Sequence, residues 1–328
     1  MNIKSHFLLP IILLSFAAHC TENLEQFYST SFLKNYAAVH ESLKQHGFVE
    51  VSFKTSDNIV LRGLFLSRPN ATCNVILSAG WRPGKKEGLA TFYDILPDYC
   101  NILFFDTRGH GESEGPLFWK LWRYGVDEYK DTVAAVSWTN KNNALPIIIY
   151  GACSGAFNAA HAAIHLEKNN NQLPSNVKGL VFDSGWGSVM DASNTAVFAN
   201  AEEGIAAILK HFYKTKELVQ QSLLFRLSTN CARSICTTAH SLLIKPIIRQ
   251  YEPITNLFNK IGHLNLPTFF IHSYDDRHVD IHNVIKLSEL THHKKCWWIR
   301  QSYHTQHHLI HREAYKEKLT AFINEVIQ

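Results

Sequence analysis

Six short apolar runs, each bounded by glycine, proline or polar residues, set the rhythm of this chain. They fall at 74–79 ("NVILSA"), 101–106 ("NILFFD"), 146–150 ("PIIIY"), 178–183 ("KGLVFD"), 267–272 ("PTFFIH") and 296–300 ("CWWIR"). Their apolar stretches are continuous rather than alternating, which is the pattern of strands buried on both faces. Helical patterns at 86–97, 125–139, 154–167, 281–291 and 312–327 lie between and after them. The fold class expected is therefore α/β, with a mostly parallel central sheet flanked by helices. Ahead of these runs, "FVEVSFKT" and "IVLRGLFLSRP" alternate and are separated by Ser56, Asp57 and Asn58, the signature of a hairpin. A helical stretch from Asn23 to Gly47 precedes the hairpin.

One interval breaks the rhythm. Between Gly187 and Leu266 there is helical periodicity, as in "GIAAILKHFYKTKELVQQSLLF", and no strong strand. An insertion of this size in a β/α chain is more often a functional lid than a loose loop. The expected organisation is a core at 21–185 and 251–328 with a helical cap at 186–250. With 328 residues, 46% of them hydrophobic, the chain is long enough to bury such a core. Its net charge of +4 comes from scattered Lys and Arg nearly balanced by 28 acidic residues, which argues against a nucleic-acid partner.

Residues 1–20 have Lys4 in a polar start, then an apolar run from Phe7 to Ala18, then small residues. That run is shorter than the roughly 20 residues a spanning helix needs and suits a secretory signal peptide, cleaved after Ala17 or Cys20. A lipoprotein-type site at Cys20 and an uncleaved N-terminal membrane anchor are the alternatives. The expected localisation is secreted or periplasmic, where disulfides are permitted. Cys73 and Cys100 each precede an apolar strand and would bridge if those strands are neighbours. Cys231 and Cys236 are either a local bridge or two free thiols. No C-x-x-C spacing is present, so neither a metal site nor a cofactor is indicated.

Chemistry concentrates at "IIIYGACSGAFNAA", residues 147–160, a strand running into a tight turn and a small-residue helix. The frame is that of a G-x-S-x-G nucleophile elbow with Cys153 at the central place and Ser154 one place later. A thiol there needs less activation than a hydroxyl. Shifting the register to make Ser154 the nucleophile would misplace Gly151 and Gly155. Acyl transfer also needs a base and an acid that orients it. "FFIHSYDDRHVD" offers Asp275 and Asp276 at a strand's C-terminal end, where open α/β sheets gather their ligands. After the last strand, "IRQSYHTQHHLIHREAY" offers His304, then His307, His308 and His311. Asp183, also just past a strand, is a reserve acid. Asp106 and Arg108 read as braces for their loop.

The elbow, the turn "DTRGHGESEG" at 106–115, the segment "FFIHSYDDRHV" and the tail from His304 to Tyr315 together resemble the α/β-hydrolase superfamily, and most nearly its lipase, dienelactone-hydrolase and serine-aminopeptidase-like groups. The resemblance covers roughly residues 48–328 and implies a triad of Cys153, His304 and Asp276. It also implies an oxyanion hole built from the backbone N–H groups of Trp81 and Ser154. Two positions depart from the family pattern: Ala79 stands where a histidine is usual, and Ser273 replaces a glycine. The implied activity is hydrolysis of an ester, thioester or lactone on a small-molecule or lipid-like acyl substrate. Acyl transfer to an amine or alcohol, and a catalytically silent binding protein, are the alternatives.

Overall fold

The computed structural model describes residues 46–80, 92–115, 124–170, 173–195, 238 and 240–328. The leader, residues 23–45 of the helix expected after it, Trp81, residues 86–91 of the helix expected at 86–97, residues 196–237 and 239 of the expected cap, and Cys20, Cys231 and Cys236 lie outside the described residues.

Eight strands are present: β1 (Val49–Lys54), β2 (Val60–Leu66), β3 (Cys73–Ser78), β4 (Cys100–Phe105), β5 (Ile147–Ala152), β6 (Val177–Asp183), β7 (Thr268–Ser273) and β8 (Lys294–Ile299). They form one sheet in the order β1-β2-β4-β3-β5-β6-β7-β8. β1 and β2 make the expected hairpin, and β2 pairs antiparallel with β4. All later neighbours are parallel. The helices are α1 (Tyr129–Asn142), α2 (Ser154–Asn170), α3 (Lys245–Thr255), α4 (Ile281–Glu289), α5 (His307–Ile310) and α6 (Arg312–Ile327). Of the expected cap, residues 189–195 and 240–250 are described and helical.

Successive side chains of a strand point to opposite faces, so one apolar run serves two cores. Ile147 and Ile149 cluster with Ala156, Phe157 and Ala160 of α2. Ile148 and Tyr150 cluster with Tyr315, Leu319 and Phe322 of α6. The three isoleucines are fully buried, each worth about 1.5–3 kcal/mol relative to exposure. Helices on both faces are why the runs lack polar alternation. Cys73 and Cys100 begin β3 and β4, pair in register, and hold their sulfurs 2.8 Å apart as buried free thiols. Among the described residues no helix is long and apolar enough to cross a membrane.

The turn after β4 is braced as its sequence suggests. Arg108 donates from Nε to Asp131 and from its terminal nitrogens to Asp57 of the hairpin turn, at 2.8–3.1 Å. Asp106 accepts from the Glu112 N–H at 3.0 Å. These contacts lock the first hairpin to α1 and leave the ends of β5 to β8 to form the site.

Candidate active site

Cys153 sits alone between the end of β5 and the start of α2, at φ 56°. That left-handed conformation costs a side-chain-bearing residue about 1–2 kcal/mol, and the packing around it enforces the turn. A Cβ on Gly155 would lie 1.9 Å from the Ser78 carbonyl oxygen, and one on Gly151 would lie 2.4 Å from Ala156 Cα. Both glycines are therefore required for α2 to approach β3 and for the turn to close on itself. The same crowding reaches the loop after β3: a Cβ on Gly80 would stand 2.6 Å from Cys153 Cβ. Thus the backbone leading to Trp81 passes directly beside the thiol, although Trp81 itself is outside the described residues.

Ser154 opens α2 and is buried, 3% exposed. Its side chain lies beside the Tyr124 hydroxyl, which accepts from Asn158 Nδ2 at 3.0 Å. This directs the serine side chain into the protein and leaves the apex of the turn to Cys153.

Asp276 and His304 meet from the loops after β7 and β8. His304 Nδ1 donates to Asp276 Oδ2 at 2.7 Å, and the Cys153 side chain lies close enough to His304 to favour its charged form. Asp276 Oδ1 accepts from the backbone N–H groups of His278 and Val279 at 2.8 and 3.0 Å. His272 donates from Nε2 to the Val279 carbonyl and lies 3.4 Å from Asp276 Oδ2. Burial alone would raise the Asp276 pKa, but the charge and hydrogen bond of His304, with His272 and the Val279 N–H, hold it well below the usual carboxylate range. Burial disfavours charge on His304, yet the Asp276 carboxylate and the Cys153 sulfur outweigh it and hold the ring well above the ordinary histidine value. The pair is thus tuned to support a positive imidazole between a carboxylate and a sulfur.

The competing candidates are engaged elsewhere. Asp275 is exposed and accepts from the Gln301 N–H at 2.6 Å. Asp183 is buried and accepts from the hydroxyls of Tyr150 and Tyr315 at 2.9 and 2.6 Å. His307 bridges Ser184 and Ser302, each at 2.8 Å. His308 stacks on Phe92 with ring centroids 4.2 Å apart, and His311 Nε2 lies 3.1 Å from the Arg300 carbonyl. The buried network of Tyr150, Asp183, Ser184, Ser302, His307 and Tyr315 has no spacing signature in the sequence. Its members converge only through the sheet.

Asp276, His278 and His304 also bring three potential ligand atoms within 4.8 Å of one another. Both Asp276 oxygens and His304 Nδ1 already hold hydrogen bonds, so a cation there would have to separate the histidine from its acid.

A mostly parallel sheet with the tight turn of Cys153 after β5, Asp276 in the loop after β7 and His304 in the loop after β8 has the arrangement of an α/β-hydrolase. The Hydrolase_4 family, described as serine aminopeptidase S33, matches residues 98–314. The chain belongs to this family and has the α/β-hydrolase fold. Among solved structures it is similar to an esterase of Pyrococcus furiosus, with 19% identity, a TM-score of 0.60 and coverage of 88% of this chain and 94% of that one. It is similar to a meta-cleavage product hydrolase from Pseudomonas fluorescens, with 18% identity, a TM-score of 0.58 and coverage of 84% and 97%. It is also similar to a membrane phospholipase A described as a bacterial virulence factor, with 18% identity, a TM-score of 0.58 and coverage of 98% of both chains. No curated protein matches the chain in sequence.

Proposed function

We propose that this protein is an exported acyl hydrolase that cleaves an ester, thioester or lactone through Cys153, His304 and Asp276. The observation that carries the reading is the place of His304, which donates to Asp276 through Nδ1 and has the Cys153 side chain as the neighbour that, with Asp276, favours its charged form. In the first half-reaction Cys153 Sγ attacks the substrate carbonyl carbon and its proton passes to His304. His304 then returns that proton to the departing alcohol or thiol as the carbonyl re-forms, leaving a thioester on Cys153. In the second half-reaction His304 takes a proton from water, the hydroxide adds to the thioester carbonyl, and as the C–S bond breaks His304 returns that proton to Cys153 Sγ, releasing the carboxylic acid and restoring the thiol. Asp276 fixes the imidazole tautomer and supports its positive form. The developing oxyanion is placed against the N–H groups of Ser154 and Trp81.

An esterase and a phospholipase among the proteins of similar fold are in keeping with a carboxylic-ester substrate, including a lipid-like one. The signal-like residues 1–20 support export, with anchoring by the same segment as the variant of that reading. The test is to incubate the protein with an activated aryl ester, quench in acid and locate the adduct by mass spectrometry. Acylation of Cys153 is the expected result. Acylation of Ser154, or no adduct at all, overturns the mechanism.

A further inference from the structure

The site described above depends on three separate chain segments: the turn at Cys153, the loop of Asp276 after β7 and the loop of His304 after β8. The Asp183–Ser184 step at the end of β6 touches all three. The Cys153 N–H donates to the Asp183 carbonyl at 2.8 Å, and the next N–H, that of Ser184, donates to the Ile271 carbonyl of β7 at 2.9 Å. The Ser184 hydroxyl accepts from the N–H of Thr305, the residue after His304, at 3.2 Å. We propose that Ser184 is a positioning residue whose hydroxyl holds the His304 loop in register with the Cys153 turn and the strand that carries Asp276. This rests on the reading of Cys153, His304 and Asp276 as the reacting site.

The hydrogen bonds around Ser184 form a closed account. Its Oγ donates to Asp183 Oδ1 at 2.8 Å, so the contact from His307 Nε2, also 2.8 Å, must be donated by the ring. With the Thr305 N–H as a second donor, the hydroxyl's one proton and two lone pairs are all used. His307 then has only Nδ1 as an acceptor, facing the Ser302 hydroxyl at 2.8 Å. Burial lowers the His307 pKa, which keeps the ring in the neutral form this arrangement needs. Ser302 is fixed a second time, because its carbonyl accepts from Ser273 Oγ at 2.7 Å. The loop that carries His304 is therefore pinned on both sides of that residue, at Ser302 and at Thr305.

The backbone conformation supports the same assignment. Ser184 lies at φ 53° and Thr305 at φ 55°, both left-handed, and both are joined by the Thr305 to Ser184 hydrogen bond. Glycine would occupy the Ser184 position with less strain. What glycine lacks is the hydroxyl that meets Asp183, His307 and Thr305.

The substitution Ser184→Gly separates the two roles, since it removes the hydroxyl and relieves the backbone. The expected result is a fall in kcat of about 10- to 100-fold with KM little changed, the effect of a slightly misplaced base. His304, less firmly held against Asp276, should titrate at lower pH, as read by NMR of the ring and by the pH profile of kcat. Ser302→Ala breaks the chain from the other end and should give the same loss, and the double variant should lose no more than the worse single one. Unchanged kcat and unchanged His304 titration in Ser184→Gly overturn the proposal, as do losses that multiply in the double variant. Failure of the unsubstituted protein to acylate Cys153 overturns the underlying reading instead, and the His304 ring titration still decides the role of Ser184.

Discussion

Asp276 Oδ2 and His304 Nδ1 stand 2.7 Å apart, and both other hydrogen bonds of that carboxylate come from the backbone of its own loop. Asp276→Asn preserves the shape and lets the amide oxygen keep the two N–H contacts, but it removes the charge that favours a positive imidazole. A loss of roughly 10^3- to 10^4-fold in kcat is expected, in line with triads elsewhere. The substitution should also lower the titration of His304 toward the ordinary histidine value, because Asp276 is the largest influence holding it up against burial. Steady-state kinetics with a matched NMR titration tests both; a variant within tenfold of wild type would remove Asp276 from the site.

Ser154 and Cys153 are adjacent, yet their side chains have different tasks. The Ser154 side chain faces Tyr124, and in the proposed mechanism the oxyanion is met by the backbone N–H, which an alanine retains. Ser154→Ala should therefore keep kcat/KM within about threefold and cost about 1 kcal/mol of stability for the lost polar contact with Tyr124. Cys153→Ala should reduce turnover to background with little change in stability. Activity that survives in the Cys153 variant and vanishes in the Ser154 variant would reverse the assignment of nucleophile.

Much of this was legible in the chain before any coordinates. The six strands lie within two residues of their expected places, because continuous apolar runs bounded by Gly and Pro admit few other structures. The order Cys153, Asp276, His304 was legible because the acid and the histidine each follow a strand end directly. The choice between Asp275 and Asp276 rested on resemblance alone, and the structure supplies its reason: Asp275 points to Gln301, whereas Asp276 turns inward to His304. What could not be read is the support beneath the site. Ser184 lies 123 residues before His307 and belongs to no motif with it or with Ser302, so their convergence depends on strand order and loop shape.

Cys73 and Cys100 are 27 residues apart in sequence and face each other across two parallel strands. Closing a loop of that length is worth about 3–4 kcal/mol in the chain-entropy account. Refolding in a glutathione redox buffer should join the pair, remove two thiols from the free-thiol count and raise the denaturation midpoint relative to the reduced protein. A peptide map in which both cysteines remain fully alkylated would refute the bridge. The same map on protein recovered from an oxidising compartment bears on export, since such bridges persist outside the reducing cytosol.

His308 gives the protein a specific weakness to acid. It is buried, stacked on Phe92, and among the described residues neither ring nitrogen has a hydrogen-bond partner. Burial lowers its pKa from the ordinary 6.5 to about 4. The unfolded chain binds a proton at this site below about pH 6.5, whereas the folded protein refuses it until about pH 4. The unfolded state therefore holds more protons across that window, and stability falls as pH falls through it. At pH 4 this one site should cost about 3 kcal/mol relative to pH 7. His161, lowered to about 3 by burial, extends the same trend further into acid. His308→Phe keeps an aromatic ring against Phe92 and removes the titrating group. Urea unfolding at a series of pH values should show the variant's stability curve flattening between pH 6.5 and 4, so that its advantage over wild type grows by about 3 kcal/mol across the window. Parallel curves for the two proteins would mean that His308 takes up its proton equally well in both states.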